Sequence, residues 1–527
     1  MTLKIISKDS IENSLLERIE FNSLHENLSS LQSEITKIGN LLKNRGFFLY
    51  KQTLIKESDN TFISLYELGF RISFVHIYIP KKINHPKGGD TIKLMTSEVI
   101  NYLEDLTLKK DIKGESFTEI SLKDFSLKND ILQAVLNVKK KDVRKINRVV
   151  TKGYESLSKK IIKYDFDINI GDVFNKKKLE HVSKLSKQLP FIEELKPPEV
   201  LFTKDSTIVY LYLKRKRNNS FDGIVSFASD ENDKGLLFNG IADLKLNNLL
   251  NGGEDLSIFW NSIGNEKQEF SLKIKIPYVF SSRITPLLSF NLYRQDSVFL
   301  NTEFNSKLLY KINTKSDISF NYSSQASNNL KEDITNNNIN SFDKNLLGIG
   351  YQYKDISANT INQEGFFLTI EALYGTRKND FLNDKQIALN LEFSNTFILN
   401  DRTQIYGRNK TGILFTNNLL ENEKYRIGGA NSIRGFNEQS VFTSQFSYVN
   451  LEYRYLTSKS SYLYSITDIG IVQVSDNSNE SILGVGFGYL FNIKNAQVNL
   501  GYVLGKSSTN NFNLNNSKLI VNFKSYF

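Results

Sequence analysis

From residue 221 to its end the chain alternates between apolar and polar side chains. SLKIKIP (271–277) sets Leu272, Ile274 and Ile276 against Lys273 and Lys275. LSFNLYR (288–294) sets Leu288, Phe290 and Leu292 against Ser289, Asn291 and Tyr293. IALNLEFSNTF (387–397) sets Ile387, Leu389, Leu391 and Phe393 against Ala388, Asn390, Glu392 and Ser394. A period of two gives each strand one apolar and one polar face. Sixteen such segments can be marked: 221–229, 235–248, 254–264, 266–278, 284–296, 299–312, 316–327, 342–356, 364–376, 385–399, 403–415, 444–456, 460–473, 481–492, 495–505 and 517–527. An even number of long alternating strands predicts a transmembrane barrel with an outward apolar face. A soluble β-sandwich rarely keeps lysine and glutamate on one face through so many strands. Connections after even-numbered segments are short, as at 400–402, 457–459 and 493–494, whereas the two longest, 328–341 and 416–443, follow odd-numbered ones. Short turns at one rim and long loops at the other are the asymmetry of an outer-membrane barrel.

Composition narrows the function. At 527 residues the chain is too long for one compact core. No run of apolar residues is long enough for a transmembrane helix, and the mean hydropathy of −0.33 suits strands that average out as polar. With no cysteine there can be no disulfide, thiolate metal site or cysteine nucleophile. The histidines His25, His76, His85 and His181 are too scattered for a metal cluster, so neither a metal nor a cofactor is expected. No glycine pair is followed by the Lys-Ser/Thr of a phosphate loop, and no nucleophile–base set is evident, so an enzyme is not expected. The net charge of +10 is dispersed rather than gathered in a stripe, which argues against nucleic acid and fits attraction to anionic lipid surfaces. The first residues, MTLKIISKDSIENS, contain no apolar signal core, so a signal peptide is not expected within this numbering.

The first ~217 residues mix helical and strand periods. NLSSLQSEITKIGNLLKNRGFF (27–48) spaces Leu28, Leu31, Ile35, Ile38, Leu41 and Leu42 by three and four, and Gly46 ends it as a helix stop. A helix is predicted at 97–110, broken by Gly114, and a third unit opens on a strand at 143–154 and closes on one at 207–216. The reading is three α+β units at 1–80, 81–142 and 143–217, each strand–helix–helix–strand–strand, followed by a barrel at 218–527 with the loop 416–443 folded into the lumen. The basic run KRKR (214–217) falls at the junction, either as a contact for lipid head groups or as a solvated strand end.

The loop between the eleventh and twelfth strands reads YRIGGANSIRGFNEQS (425–440). Arg434-Gly435-Phe436, preceded by Gly428-Gly429, resembles the hallmark of the superfamily of BamA, TamA, Sam and two-partner-secretion transporters. Asn450-Leu451-Glu452-Tyr453-Arg454 on the twelfth strand and Asp468 with Gly470 on the thirteenth resemble its wall motifs, with Ile466 where the family has an aromatic. GVGFG (484–488) is similar to its glycine-rich fourteenth strand, and the terminal Phe527 to its C-terminal signal. The resemblance implies α+β POTRA domains joined to an all-β, 16-stranded antiparallel barrel. Three such domains put the chain nearest a TamA-like branch.

Alternation points Glu452 and Asp468 into the lumen, where a planar arginine fork can engage carboxylates bidentately. The expected loop anchor is therefore Arg434 with Glu452 and Asp468, with Gly435 permitting close backbone approach, Phe436 against the inner wall and Gly470 beside them. It locks a loop and performs no bond chemistry. The resemblance further implies a lateral seam between the first and last strands, with Gly223, Phe523 and Phe527 as its residues. It implies a place in the outer membrane with the POTRA domains in the periplasm. It implies a role in assembling or translocating unfolded outer-membrane or secreted protein clients, in contact with outer-membrane lipids and with a possible TamB-like inner-membrane partner. The alternatives are an export pore for one dedicated secreted partner, or a passive channel.

Overall fold

The computed structural model describes the chain except 59, 82, 84–88, 129, 230–235, 264–266, 297, 331–337, 358–364, 381, 476–477 and 509–510, and except the side chains of 224–229, 236–239 and 263. His85, Gly88 and residues 331–337 of the long loop expected at 328–341 lie outside what is described. The chain divides into two compact units: Met1–Asn147 with Gly171–Leu179, and Arg148–Ile170 with Glu180–Phe527.

The first unit holds two sheets. In one, Thr2–Ser7 and Lys51–Lys56 flank Thr61–Glu67, with helices Ser10–Leu16 and Leu28–Asn44 laid over them. Asn27 caps the longer helix at its N-terminus, and Leu31, Ile38 and Leu42 sink into a core with Leu3, Leu16 and Tyr66. Gly46, at φ +100°, follows the helix end, and any side chain there would collide with the Ile72 carbonyl. The other sheet orders Thr91–Met95, Phe74–Tyr78, Ile131–Lys139 and Glu119–Lys128, with helix Thr96–Ile112. One expectation changes here. Phe74–Tyr78 pairs with Ile131–Lys139 and Thr91–Met95, so it belongs to the second sheet and not to the first α+β unit ending at residue 80. The helix expected at 97–110 is present as Thr96–Ile112, directly preceded by strand Thr91–Met95.

In the second unit, Arg148–Lys152, Thr207–Arg215 and Ile192–Phe202 form a three-stranded sheet accompanied by helix Lys159–Tyr164 and the C-terminal half of helix Lys176–Ser186. Ile192–Phe202 carries Pro197 and Pro198, which cannot donate to a ladder; it is an edge strand, and its register with Thr207–Arg215 shifts past the prolines.

The remainder is a closed barrel of sixteen antiparallel strands, each bonded to its sequence neighbours. These are β1 (Ser220–Ser229), β2 (Leu236–Asn247), β3 (Asp255–Ile263), β4 (Lys267–Lys275), β5 (Ile284–Gln295), β6 (Phe299–Lys311), β7 (Ser316–Asn329) and β8 (Phe342–Ile356). They continue as β9 (Gly365–Lys378), β10 (Asn383–Ile398), β11 (Thr403–Phe415), β12 (Gln445–Ser458), β13 (Ser461–Ser475), β14 (Ser478–Ile493), β15 (Ala496–Lys506) and β16 (Lys518–Tyr526). All sixteen alternating segments are strands, shifted at most by a few residues at their ends. The apolar face points outward: Leu288, Phe290, Ile387, Leu389 and Phe393 are exposed, while Ser289, Tyr293 and Ala388 are buried within. This inverts the soluble pattern because the outer solvent is hydrocarbon.

The third α+β domain is bound to barrel turns by polar contacts. Tyr154 donates to Asn251 at 2.8 Å and accepts from Asn248 at 2.6 Å. Asp165 takes Lys311 at 2.7 Å and also the Tyr278 hydroxyl. Asp355 accepts from Gln188 at 2.9 Å and from Lys315 at 2.6 Å. From the basic junction, Arg215 donates to the Asn248 carbonyl at 3.3 Å, so part of KRKR serves the rim.

Asp165→Asn removes the charge that Lys311 and Tyr278 share. We expect a loss of about 1–3 kcal/mol at this joint, read as faster limited proteolysis between the third domain and the barrel, with the barrel's heat-modifiable migration unchanged. An unchanged cleavage rate would show that the joint does not depend on Asp165.

Candidate functional site

The loop between β11 and β12 does not leave the lumen. After a 3-10 turn at Glu421–Glu423, a short hairpin pairs Tyr425–Ile427 with Val441–Thr443 and carries the tip 428–440 to the wall. Arg434 is 8% exposed there, Glu452 8% and Asp468 fully buried. Its Nε and Nη2 donate to the two Asp468 oxygens at 2.9 and 2.6 Å, and its backbone N–H adds a third bond at 2.8 Å. Nη1 donates to Glu452 Oε1 at 2.6 Å. The other Glu452 oxygen accepts from Arg454 Nε at 2.9 Å, and the Arg454 guanidinium lies 4.1 Å from the Tyr406 ring centre. The result is an alternating chain of cation and anion with matched fork geometry, the arrangement in which buried charges are tolerated.

The wall is shaped to admit the loop backbone. One cross-strand row runs Arg408, Asn450, Asp468, Gly484, Gly505 over β11 to β15. A side chain at Gly484 would collide with the Arg434 carbonyl, and one at Gly505 with the Gly435 carbonyl. Gly435 sits at φ +96°, and a Cβ there would lie 2.8 Å from the Gly505 nitrogen. Side chains are excluded on both surfaces, so backbone meets backbone. Gly470 leaves room for Ile433, which is buried with Ile427, Phe446, Tyr448, Val472 and Ile482, and Phe436 packs on this cluster from the loop side. Asn450 donates to the Ser432 carbonyl at 2.7 Å. Ile466, in the position of the family's aromatic, is buried with Tyr462, Tyr464 and Val503.

A second anchor was not foreseen from the sequence. Arg377 on β9 is fully buried and bonds Glu423 of the loop at 3.1 Å and Asp384 of β10. Glu423 also accepts from Gln386 at 2.8 Å and from the Leu420 N–H at 2.9 Å. Next to it Asn422 donates to Ser327 at 2.7 Å, and its carbonyl accepts from Asn301 at 2.7 Å. Alternation turns Arg377 inward, but nothing local marks Glu423 as its partner. On a third side the tip reaches β4, where Gln439 donates to Glu269 at 2.7 Å, and Arg426 lies over the Tyr293 ring of β5 at 3.6 Å. The loop therefore spans the lumen.

The residues assigned to the seam are less closely gathered. Among the described residues, β1 and β16 share only the pairs Ser220–Tyr526 and Phe221–Ser525. Phe527 donates its N–H to the Asn219 carbonyl at 3.0 Å, and Asn522 donates to Asp222 at 3.2 Å. Gly223 pairs with Ala242 of β2, and Phe523 pairs with Val498 of β15 and projects outward.

Arg434→Ala and Asp468→Ala should each destabilise the barrel by ~3–5 kcal/mol, because each strands buried charge. The double variant should cost less than the sum by on the order of 2 kcal/mol. Urea midpoints of the folded barrel, read by heat-modifiable migration, give the cycle, and strict additivity would show that the two do not act as a pair. Gly484→Val should expel the Arg434 segment at comparable cost without removing any charge.

Residues 305–491 match the family model described as haemolysin secretion/activation protein ShlB/FhaC/HecB. No curated protein matches the sequence. Among solved structures, CdiB from Acinetobacter baumannii is 15% identical with a TM-score of 0.52, covering 100% of this chain and 90% of that one. CdiB from Escherichia coli is 12% identical with a TM-score of 0.50, covering 95% and 98%. BamA from Haemophilus ducreyi lacking POTRA domains 1–3 is 14% identical with a TM-score of 0.46, covering 84% and 96%. None of these matches singles out a TamA-like branch. Residues 305–491 are thus similar to the haemolysin secretion/activation proteins, and the chain shares its fold with CdiB.

Proposed function

We propose that this chain exports a secreted protein partner across the outer membrane through its own lumen, with the loop 416–443 as the plug that must move. The carrying observation is the coincidence of plug and family match. The matched residues 305–491 include the loop, its Arg434 anchor to Glu452 and Asp468, and its Arg377 anchor to Glu423 and Asp384. In this reading the N-terminal domains lie in the periplasm. Their edge strands, such as Lys51–Lys56 and Glu119–Lys128, offer open backbone groups to an unfolded client by β-augmentation. The protein is not an enzyme, and the work of transport comes from the client's own folding outside. Neither a TamB-like partner nor a cofactor is required.

The short register between β1 and β16 favours a second reading, in which a client strand pairs with the opened seam and is inserted into the membrane. One cross-link separates the two. Asp222 and Asn522 meet across the seam at 3.2 Å, and the chain has no native cysteine. Asp222→Cys with Asn522→Cys, bridged by a short thiol-reactive linker, closes the seam without touching the loop. We expect export of a co-expressed secreted client into the medium to continue at the level of the unbridged variant. Loss of export on bridging would overturn the lumen reading in favour of the lateral one.

A further inference from the structure

We propose that the joint between helix Lys159–Tyr164 and the β4–β5 and β6–β7 turns is a binding site for the phosphodiester head group of an anionic glycerophospholipid. A cavity of about 230 Å³ opens there, lined by Lys163, Arg283, Lys311, Asp167, Tyr164 and residues 312–314. Three cations face it against one carboxylate, Asp167. Lys311 is already taken up by Asp165 at 2.7 Å. Among the described residues Lys163 and Arg283 form no ion pair: Lys163 lies 5.0 Å from the Tyr164 ring centre, and Arg283 is fixed by an Nη1 bond to the Ile312 carbonyl at 2.9 Å. Two exposed cations held by neutral partners, one of them on a rigid turn, suit a phosphate diester.

The apolar surroundings choose the source of that phosphate. Ile312, on the cavity lining, is 42% exposed, and Ile284, next to Arg283, is 39% exposed. Both continue into the outward apolar rows of β5 and β6, with Leu288, Phe290, Leu308 and Tyr310. The β4–β5 turn holds Tyr278, Phe280 and Ser281 at φ 57°, 52° and 55°, a left-handed stretch that non-glycine residues seldom adopt. That turn buries Tyr278 against Tyr164, with ring centres 4.8 Å apart, while presenting Phe280 at 99% exposure. A fully exposed aromatic at the end of the hydrocarbon-facing rows, beside uncompensated cations, matches the two-part chemistry of a lipid, acyl chain and head group together. A soluble phosphate would use the cations and have no use for Phe280. The inference rests on the outer-membrane location and is independent of the export reading.

The test is native mass spectrometry of the full-length protein from mild detergent with added phosphatidylglycerol. The wild type should retain bound lipid. Lys163→Gln with Arg283→Gln should lower retention at least fivefold, and Phe280→Ala, which removes no charge and no packing, should lower it measurably. Lys214→Gln with Lys216→Gln, at the separate basic junction, should leave it unchanged. Excess inorganic phosphate should not displace the lipid. Equal retention in the Lys163/Arg283 variant, equal retention in Phe280→Ala, equal loss in the Lys214/Lys216 variant, or displacement by phosphate would each overturn the assignment.

Discussion

The structure depends on holding a charged loop inside a lumen without letting its charge go unpaired. Arg434 is withdrawn from water together with Glu452 and Asp468, a step that costs several kcal/mol per ion unless geometry compensates. The compensation is nearly complete, since both Asp468 oxygens and both Glu452 oxygens are used. A lysine could supply the charge but not the parallel bonds, so the planar fork is the element that cannot be exchanged. The wall then has to accept the backbone that carries this side chain. Gly470, Gly484 and Gly505 on three successive strands are empty where the loop is full. Charge pairing and shape are thus satisfied by the same few rows of the barrel.

The outer surface obeys the opposite rule. The outward rows of the strands are mostly apolar, as at Leu288, Phe290, Ile349, Ile370 and Phe393, and the backbone groups are satisfied by the closed ladder. Closure is least at β1 and β16, where two register pairs are shared. The weakest joint of the cylinder is therefore fixed by topology: it is where the two ends of the strand order meet.

Much of this was legible in the sequence because two of its signals are strictly periodic. Alternation marked all sixteen strands, and inward parity put Glu452 and Asp468 on the same side as the loop. What was not legible depends on pairing between distant segments. Phe74–Tyr78 reads as a strand in isolation, but only its partners Thr91–Met95 and Ile131–Lys139 assign it to the second sheet. Glu423 is one of two acids in ENEK, and it becomes an anchor because the turn brings it under Arg377, 46 residues away. Gly505 is an ordinary strand glycine until the Gly435 carbonyl is found against it.

Two buried ion-pair anchors hold the loop on different strands, Glu423 on β9 and β10 and Arg434 on β12 and β13. Such a tether is bivalent. If one end lets go, the other keeps it at a high local concentration beside its own site, so recapture outruns escape. Brief breakage of either ion pair leaves the lumen closed, and lasting opening requires that something occupy one site while the second is lost. On the export reading proposed above, a passenger must therefore compete for the loop's own footholds, which makes the plug selective for an occupant that stays.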